Sequence, residues 1–113
     1  MEKIVEQGLL YDFYGELLTD HQKQIYEAAV YDDMSLTEIA DEHGISKQGV
    51  HDLIKRCTRT LQEYEDKLHM IRRFDAIKKR AEELSAASES ASDLADLKEK
   101  TIGISKSIIE ELT

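Results

Sequence analysis

The chain has 113 residues, a formal net charge of −9, 41% hydrophobic content and one cysteine. That is enough for one small domain, or a domain with an extension, and it excludes two large cores. It also excludes an internal disulfide, and the acidic balance weakens any general attraction to phosphates.

The lack of proline, only five glycines and the absence of any alternating-strand pattern predict an all-α chain. The start, MEKIVEQGLLYDFYGELL, has neither the basic region nor the small-residue cleavage site of a signal peptide. Nothing later approaches the ~20 apolar residues of a membrane span, so a cytoplasmic protein with no membrane partner is expected. Helix one is expected over Glu2 to Leu18 on the stripe Val5, Leu9, Phe13 and Leu17, widened by Leu10, Tyr14 and Leu18. Thr19, with Gln22 three residues on, forms a capping box that opens helix two through about Tyr31, with Ile25, Ala28 and Ala29 facing inward. Ser35 and Glu38 repeat the box to start a short helix three. Gly44 stands where a helix needs a left-handed residue, and Ser46 caps the next helix almost at once.

Helix four begins near Lys47, and no residue breaks it for a long way. Its apolar positions Val50, Ile54, Cys57, Leu61, Tyr64, Leu68 and Ile71 step by four and three in turn, a heptad seam that needs a partner. Cys57 in that stripe reads as a packed thiol. The phase slips through Phe74 and Ile77 before Ala81 and Leu84 resume it, so a kink or a change of packing partner is expected between Arg72 and Phe74. SAASESAS, Ser85 to Ser92, reads as a hinge or frayed helix end. From Asp93 a last helix carries Leu94, Leu97, Thr101, Ile104, Ile108 and Leu112 at heptad-like spacing, with Ile102 and Ile109 alongside. It folds back on helix four, pairs with another copy, or does both. An exposed apolar seam of that length is an aggregation risk in a monomer, which favours a homodimer. The expected dimer seam is Ile54, Leu61, Tyr64, Leu68 and Ile71 together with Ile104, Ile108 and Leu112. The expected division is a helix-turn-helix domain over 1–61 and, over 62–113, a long-helix extension with a C-terminal helix, coiled-coil-like and dimerising.

Charge is uneven along this plan. Residues 1–44 sum to −9, 45–80 to +5 and 81–113 to −5. A local positive field over the middle third can guide one face to a polyanion despite the acidic total.

That third opens within SLTEIADEHGISKQGVHDLIKR, Ser35 to Arg56. A helix-turn-helix needs a small residue where its helices cross, a residue tolerant of positive φ in the turn, and apolar residues that fix the angle. Ala40, Gly44 and Val50 meet these needs, and Ile39, Ile45 and Leu53 supply the remaining apolar contacts. With those turned inward, the outer face of helix four presents Ser46, Lys47, Gln48, His51, Asp52 and Lys55, followed by Arg56 and Arg59. The first residues of such a helix approach base edges, so Gln48 suits an adenine and Lys47 a guanine. Lys55, Arg56 and Arg59 suit phosphates, and Ser35 and Thr37 the backbone beside helix three. Gly49 offers no side chain on this face, and Asp52 brings negative charge toward the groove, so modest affinity is expected. Neutralising three or four phosphates per copy gives a log–log salt slope of about −3.

The four-helix start, with its reading helix running out of GISKQGV, resembles the promoter-reading region four of sigma factors over roughly Leu18 to Leu61. No polymerase-binding or melting region precedes it, so the resemblance is to a winged-less helical bundle and not to a working sigma factor. A closer resemblance is to the YlxM family of small bacterial helix-turn-helix proteins, through LLYDFYGELLTDHQ, SLTEIADEHGISKQGVHDLIKR and EYEDKLHMIRRF. It implies a cytoplasmic protein linked to the signal recognition particle pathway, as a regulator or an accessory of its RNA or GTPase. Within that family's pattern Gln48, Asp52, Lys55 and Arg56 look like family features.

Other chemistry finds little support. His21, His43, His51 and His69 fall on different predicted elements with no metal-ligand spacing, no acid falls in a segment expected to form a deep dry pocket, and no glycine-rich phosphate loop occurs. No enzyme activity, metal, cofactor or small-molecule substrate is expected. Two functions remain. One is a dimeric DNA-binding regulator with reading heads about 34–36 Å apart. The other is an RNA- or protein-binding accessory of the targeting particle, meeting RNA by shape and backbone contact.

Overall fold

A computed structural model describes residues 3–113. They form α1 (Lys3–Tyr14), a short 3-10 turn (Gly15–Leu17), α2 (Asp20–Val30), α3 (Leu36–His43), α4 (Lys47–Leu68), α5 (Met70–Ser90) and α6 (Leu94–Leu112), with no strand among the described residues. The chain divides into two compact units, the first ending at His69 and the second spanning Met70–Thr113. Residue 61 lies inside α4. No helix among the described residues is long and apolar enough to cross a membrane.

The first unit is built from local signals that the backbone obeys. Thr19 Oγ1 accepts from the Gln22 amide at 3.2 Å while Gln22 Oε1 accepts from the Thr19 amide at 2.9 Å, the reciprocal box that starts α2. Ser35 and Glu38 do the same for α3, at 3.1 and 3.2 Å. Gly44 closes α3 at φ 66, a conformation in which a Cβ would crowd the backbone, and Ser46 Oγ caps α4 by accepting from the Gly49 amide at 2.9 Å.

Helix one differs from expectation in extent and in facing. It stops at Tyr14 and tightens into the 3-10 turn, where the Tyr11 ring packs so close to Gly15 that a Cβ there would lie 2.8 Å from it. Val5 and Leu17, expected on the buried stripe, are exposed, while Leu10, Tyr14 and Leu18 are enclosed. The row of α1 beside α4 runs from exposed Lys3 through half-buried Gln7 to buried Leu10 and Tyr14. Gln7 Nε2 donates to Thr58 Oγ1 at 3.4 Å, and the Tyr14 ring lies 6.0 Å from that of Tyr64, so this row faces α4. Ile25, Tyr26, Ile39, Val50 and Leu61 have no exposed surface. Each such burial is worth about 1.5–3 kcal/mol before entropy is counted.

Two breaks fall elsewhere than the pattern suggested. The expected run of helix four past Ile71 ends at Leu68, because His69 takes the left-handed conformation (φ 56) and donates its amide to Glu65 O at 2.8 Å. Histidine is among the few side chains other than glycine that enter this region with any frequency. The serine-rich segment stays helical through Ser90. Ala87 is buried, and the Ser88 and Ser90 hydroxyls donate to Ser85 O and Ala86 O, both at 2.8 Å, which satisfies them within the helix. The true stop is three residues long, after which Asp93 caps α6 through the Asp96 amide at 2.8 Å. In the second unit α6 packs along α5.

Candidate nucleic-acid interface

The six residues expected to fix the helix-turn-helix sort by role. Ile39 and Val50 are fully buried and Ala40 is nearly so; with Ile25 and Ala28 of α2 they form one core, against which Ile45, Leu53 and Ile54 pack. Gly44 makes the turn, and the Ile45 amide donates to Ala40 O at 3.2 Å. With that core inside, Ser35, Thr37, Ser46, Lys47, Gln48, His51, Asp52, Lys55, Arg56 and Arg59 are all exposed. Sequence spacing therefore brings the candidate contacts onto one outward surface of α4 and the start of α3.

Asp52 does not stand alone on that surface. Gln48 Nε2 donates to Asp52 Oδ1 at 3.0 Å, and His51 Nδ1 lies 3.7 Å from the same oxygen. An ionised carboxylate only accepts, so this contact fixes which way the Gln48 amide turns and leaves its oxygen and second N–H for another partner.

Two clefts flank the outer face of α4, and His51 lines both. On the α3 side, Leu36, Lys47, Gln48 and His51 border about 470 Å³. On the α1 side, Lys3, Gln7, His51, Ile54, Lys55 and Thr58 border about 340 Å³. Lys3, Gln7 and Thr58 were not among the residues read from the sequence. The signal for Lys3 and Gln7 was the polar continuation of the Leu10–Tyr14 row, at the same four-and-three spacing, toward the start of α1.

Lys47, Lys55, Arg56 and Arg59 form no ion pair among the described residues. The positive stretch expected over 45–80 is divided by the break at His69: Arg72, Arg73, Lys78, Lys79 and Arg80 belong to the second unit.

The expected dimer seam is distributed between inside and outside. Leu61 is fully enclosed within the chain, Ile54 packs on the helix-turn-helix core and Tyr64 meets Tyr14. The physical reason is that α1 and α2 already lie along that side of α4. Leu68 and Leu112 are exposed, and Ile71, Ile104 and Ile108 are half-buried.

An aromatic cluster that the sequence reading did not use ties α1 to α2. Tyr11 stacks on Tyr26 at 5.6 Å and meets Tyr31 edge-on at 5.6 Å. Burial raises the Tyr11 hydroxyl well above its usual range, and its hydrogen bond to Glu27 at 2.7 Å raises it further. Burial and then a hydrogen bond to Asp12 push Tyr31 up to about 12. Burial likewise pushes the Cys57 thiol up, opposed by Arg56. His21 and His43, although far apart in sequence, bring their rings to 6.1 Å. No group of three or more potential metal ligands occurs among the described residues.

Comparison with known sequences fits this geometry. Residues 1–102 match the family described as "Putative helix-turn-helix protein, YlxM / p13 like", UPF0122. Similar proteins include a UPF0122 protein of Symbiobacterium thermophilum, 41% identical over 91 residues that cover 80% of this chain and 85% of the relative. One from Bacillus pumilus is 41% identical over 99 residues, covering 88% and 87%. One from Desulforamulus reducens is 34% identical over 113 residues, covering 98% and 97%.

Proposed function

Because the chain belongs to the YlxM / p13-like helix-turn-helix family, we propose that it is a cytoplasmic, non-catalytic regulator that binds duplex DNA through the first turns of α4. The observation that carries this reading is the outer face of α4, where Lys47, Lys55, Arg56 and Arg59 stand exposed, without ion-pair partners among the described residues, beside an oriented Gln48. Cations left unneutralised by the protein gain most from phosphates, since their pairing releases counterions without first breaking an internal contact. Lys47 and Gln48 face base edges, Lys55, Arg56 and Arg59 the phosphates, and Ser35 and Thr37 the backbone at the start of α3. Asp52 acts by holding the Gln48 amide with one donor and one acceptor outward, the pair an adenine edge requires.

Two copies act together in this proposal. The α5–α6 hairpin buries one residue, Ala87, and leaves Leu94, Ile102, Ile109 and Leu112 exposed, an apolar surface suited to a second hairpin. Light scattering that returns 13.0 kDa at working concentration overturns the dimer.

Selection from random duplexes tests the DNA reading. Enrichment of a sequence whose binding is lost on Gln48→Ala, with a log–log salt slope of about −3 per copy, supports it. No enrichment, with tight binding to the signal recognition particle RNA or its GTPase, replaces it with an accessory role in the targeting pathway.

A further inference from the structure

The cleft between α1 and α4 has a chemistry of its own. Lys3 and Gln7, one turn apart on α1, face Lys55 and Thr58, one turn apart on α4, with His51 and Ile54 completing the lining. No carboxylate lines it among the described residues, whereas Glu27, Asp32 and Glu42 all line a groove elsewhere in the same unit. Residues 1–44 contain only two bases, Lys3 and Lys23. Lys23 is held by Glu16 at 2.9 Å, while Lys3 has no ion pair among the described residues. Among the described residues of the most acidic third, the cation without an ion pair is the one beside α4.

The floor of the cleft is fixed by hydrogen bonds. Thr58 Oγ1 donates to Ile54 O at 2.9 Å, so its lone pairs accept from the Tyr26 hydroxyl at 2.8 Å and from Gln7 Nε2 at 3.4 Å. Tyr26 is fully buried, so the anchor is rigid. The Gln7 amide is thereby tethered by one N–H and keeps a second donor. Two ammonium groups and a positioned amide N–H, opposite each other across about 340 Å³, match the needs of a phosphodiester anion.

We propose that this cleft holds a backbone phosphate of bound duplex DNA, on Lys3 and Lys55 with Gln7 donating, so that α1 is part of the DNA contact. The inference rests on the reading of α4 as the DNA-facing helix and deepens it: the phosphate assigned to Lys55 is shared with Lys3 and Gln7 of α1. His51 lines both flanking clefts, so the base-facing end of α4 and this phosphate position are contiguous.

The test uses the full chain and a short fluorescent DNA duplex of random sequence, titrated across a salt series. Lys3→Gln is expected to weaken binding several-fold and to make the slope shallower by up to about 0.9, the value for one whole phosphate, because Lys55 keeps part of the contact; Lys3→Arg restores both. Lys23→Gln removes the same net charge away from the cleft and is expected to leave the slope unchanged. If wild type binds and Lys3→Gln behaves like Lys23→Gln, the cleft proposal falls while the α4 reading stands. If wild type binds only an RNA hairpin, or no nucleic acid at all, both fall.

Discussion

Helix α4 and helix α6 carry apolar residues at the same three-and-four spacing, yet α4 encloses Val50, Cys57 and Leu61 while α6 encloses none of its residues. The charged residues differ in the opposite sense. On α4 the outward lysines and arginines lack ion-pair partners among the described residues, whereas in the hairpin Lys79 pairs with Asp75, Arg80 with Glu83 and Lys100 with Asp96, at 3.0, 2.6 and 3.1 Å. A heptad pattern records that a seam is apolar and not what lies across it. In the first unit α1 and α2 already occupy the seam, and the polar face is what remains to be used. In the second unit three cations pair with acids one turn away on their own helices, and the apolar face is what remains.

Four substitutions test that contrast, the first being the most damaging. Ile39→Ala removes a fully buried side chain from the helix-turn-helix core and is expected to cost about 3 kcal/mol in urea unfolding of the first unit. A cost near zero would mean that this core is loosely packed, and the contrast with α6 would disappear. Gly44→Ala forces a Cβ into the left-handed region at φ 66 and is expected to cost about 1–2 kcal/mol, with a matching fall in duplex affinity as the angle between α3 and α4 loosens. Ser35→Ala opens the capping box of α3 and is expected to cost about 1 kcal/mol, read by thermal melting. Ile109→Ala, on the exposed face of α6, is expected to change stability by less than about 0.5 kcal/mol in a dilute monomer. A larger, concentration-dependent loss would show instead that a second copy covers that face.

Legibility followed locality. Both capping boxes, the left-handed Gly44 and the core positions Ile39, Ala40 and Val50 were readable because each signal lies within a few residues of what it controls. The facing of α1 was not, since Val5 and Leu17 satisfy a helical stripe as well as Leu10 and Tyr14 do. Only α4 decides between them. His69 carries no breaker mark, and its left-handed cap falls inside an unbroken heptad. The serine-rich stretch looked like a hinge by composition, yet Ala87 inside it is the buried residue of the hairpin. Among candidate contacts, those on α4 were legible from one motif. Lys3 and Gln7 were not, because their use depends on a neighbour more than forty residues away in the chain, to which Gln7 is tied through Thr58.

The contact between Gln48 and Asp52 has one more effect. An extended amide side chain on a free helix samples several rotamers and gives up about 0.5–1.5 kcal/mol of that freedom when a ligand immobilises it. Tethered to Asp52 one turn away, Gln48 has already given up part of its freedom in the unbound protein. An acid that repels phosphates at long range therefore reduces the entropy lost when the helix finally docks.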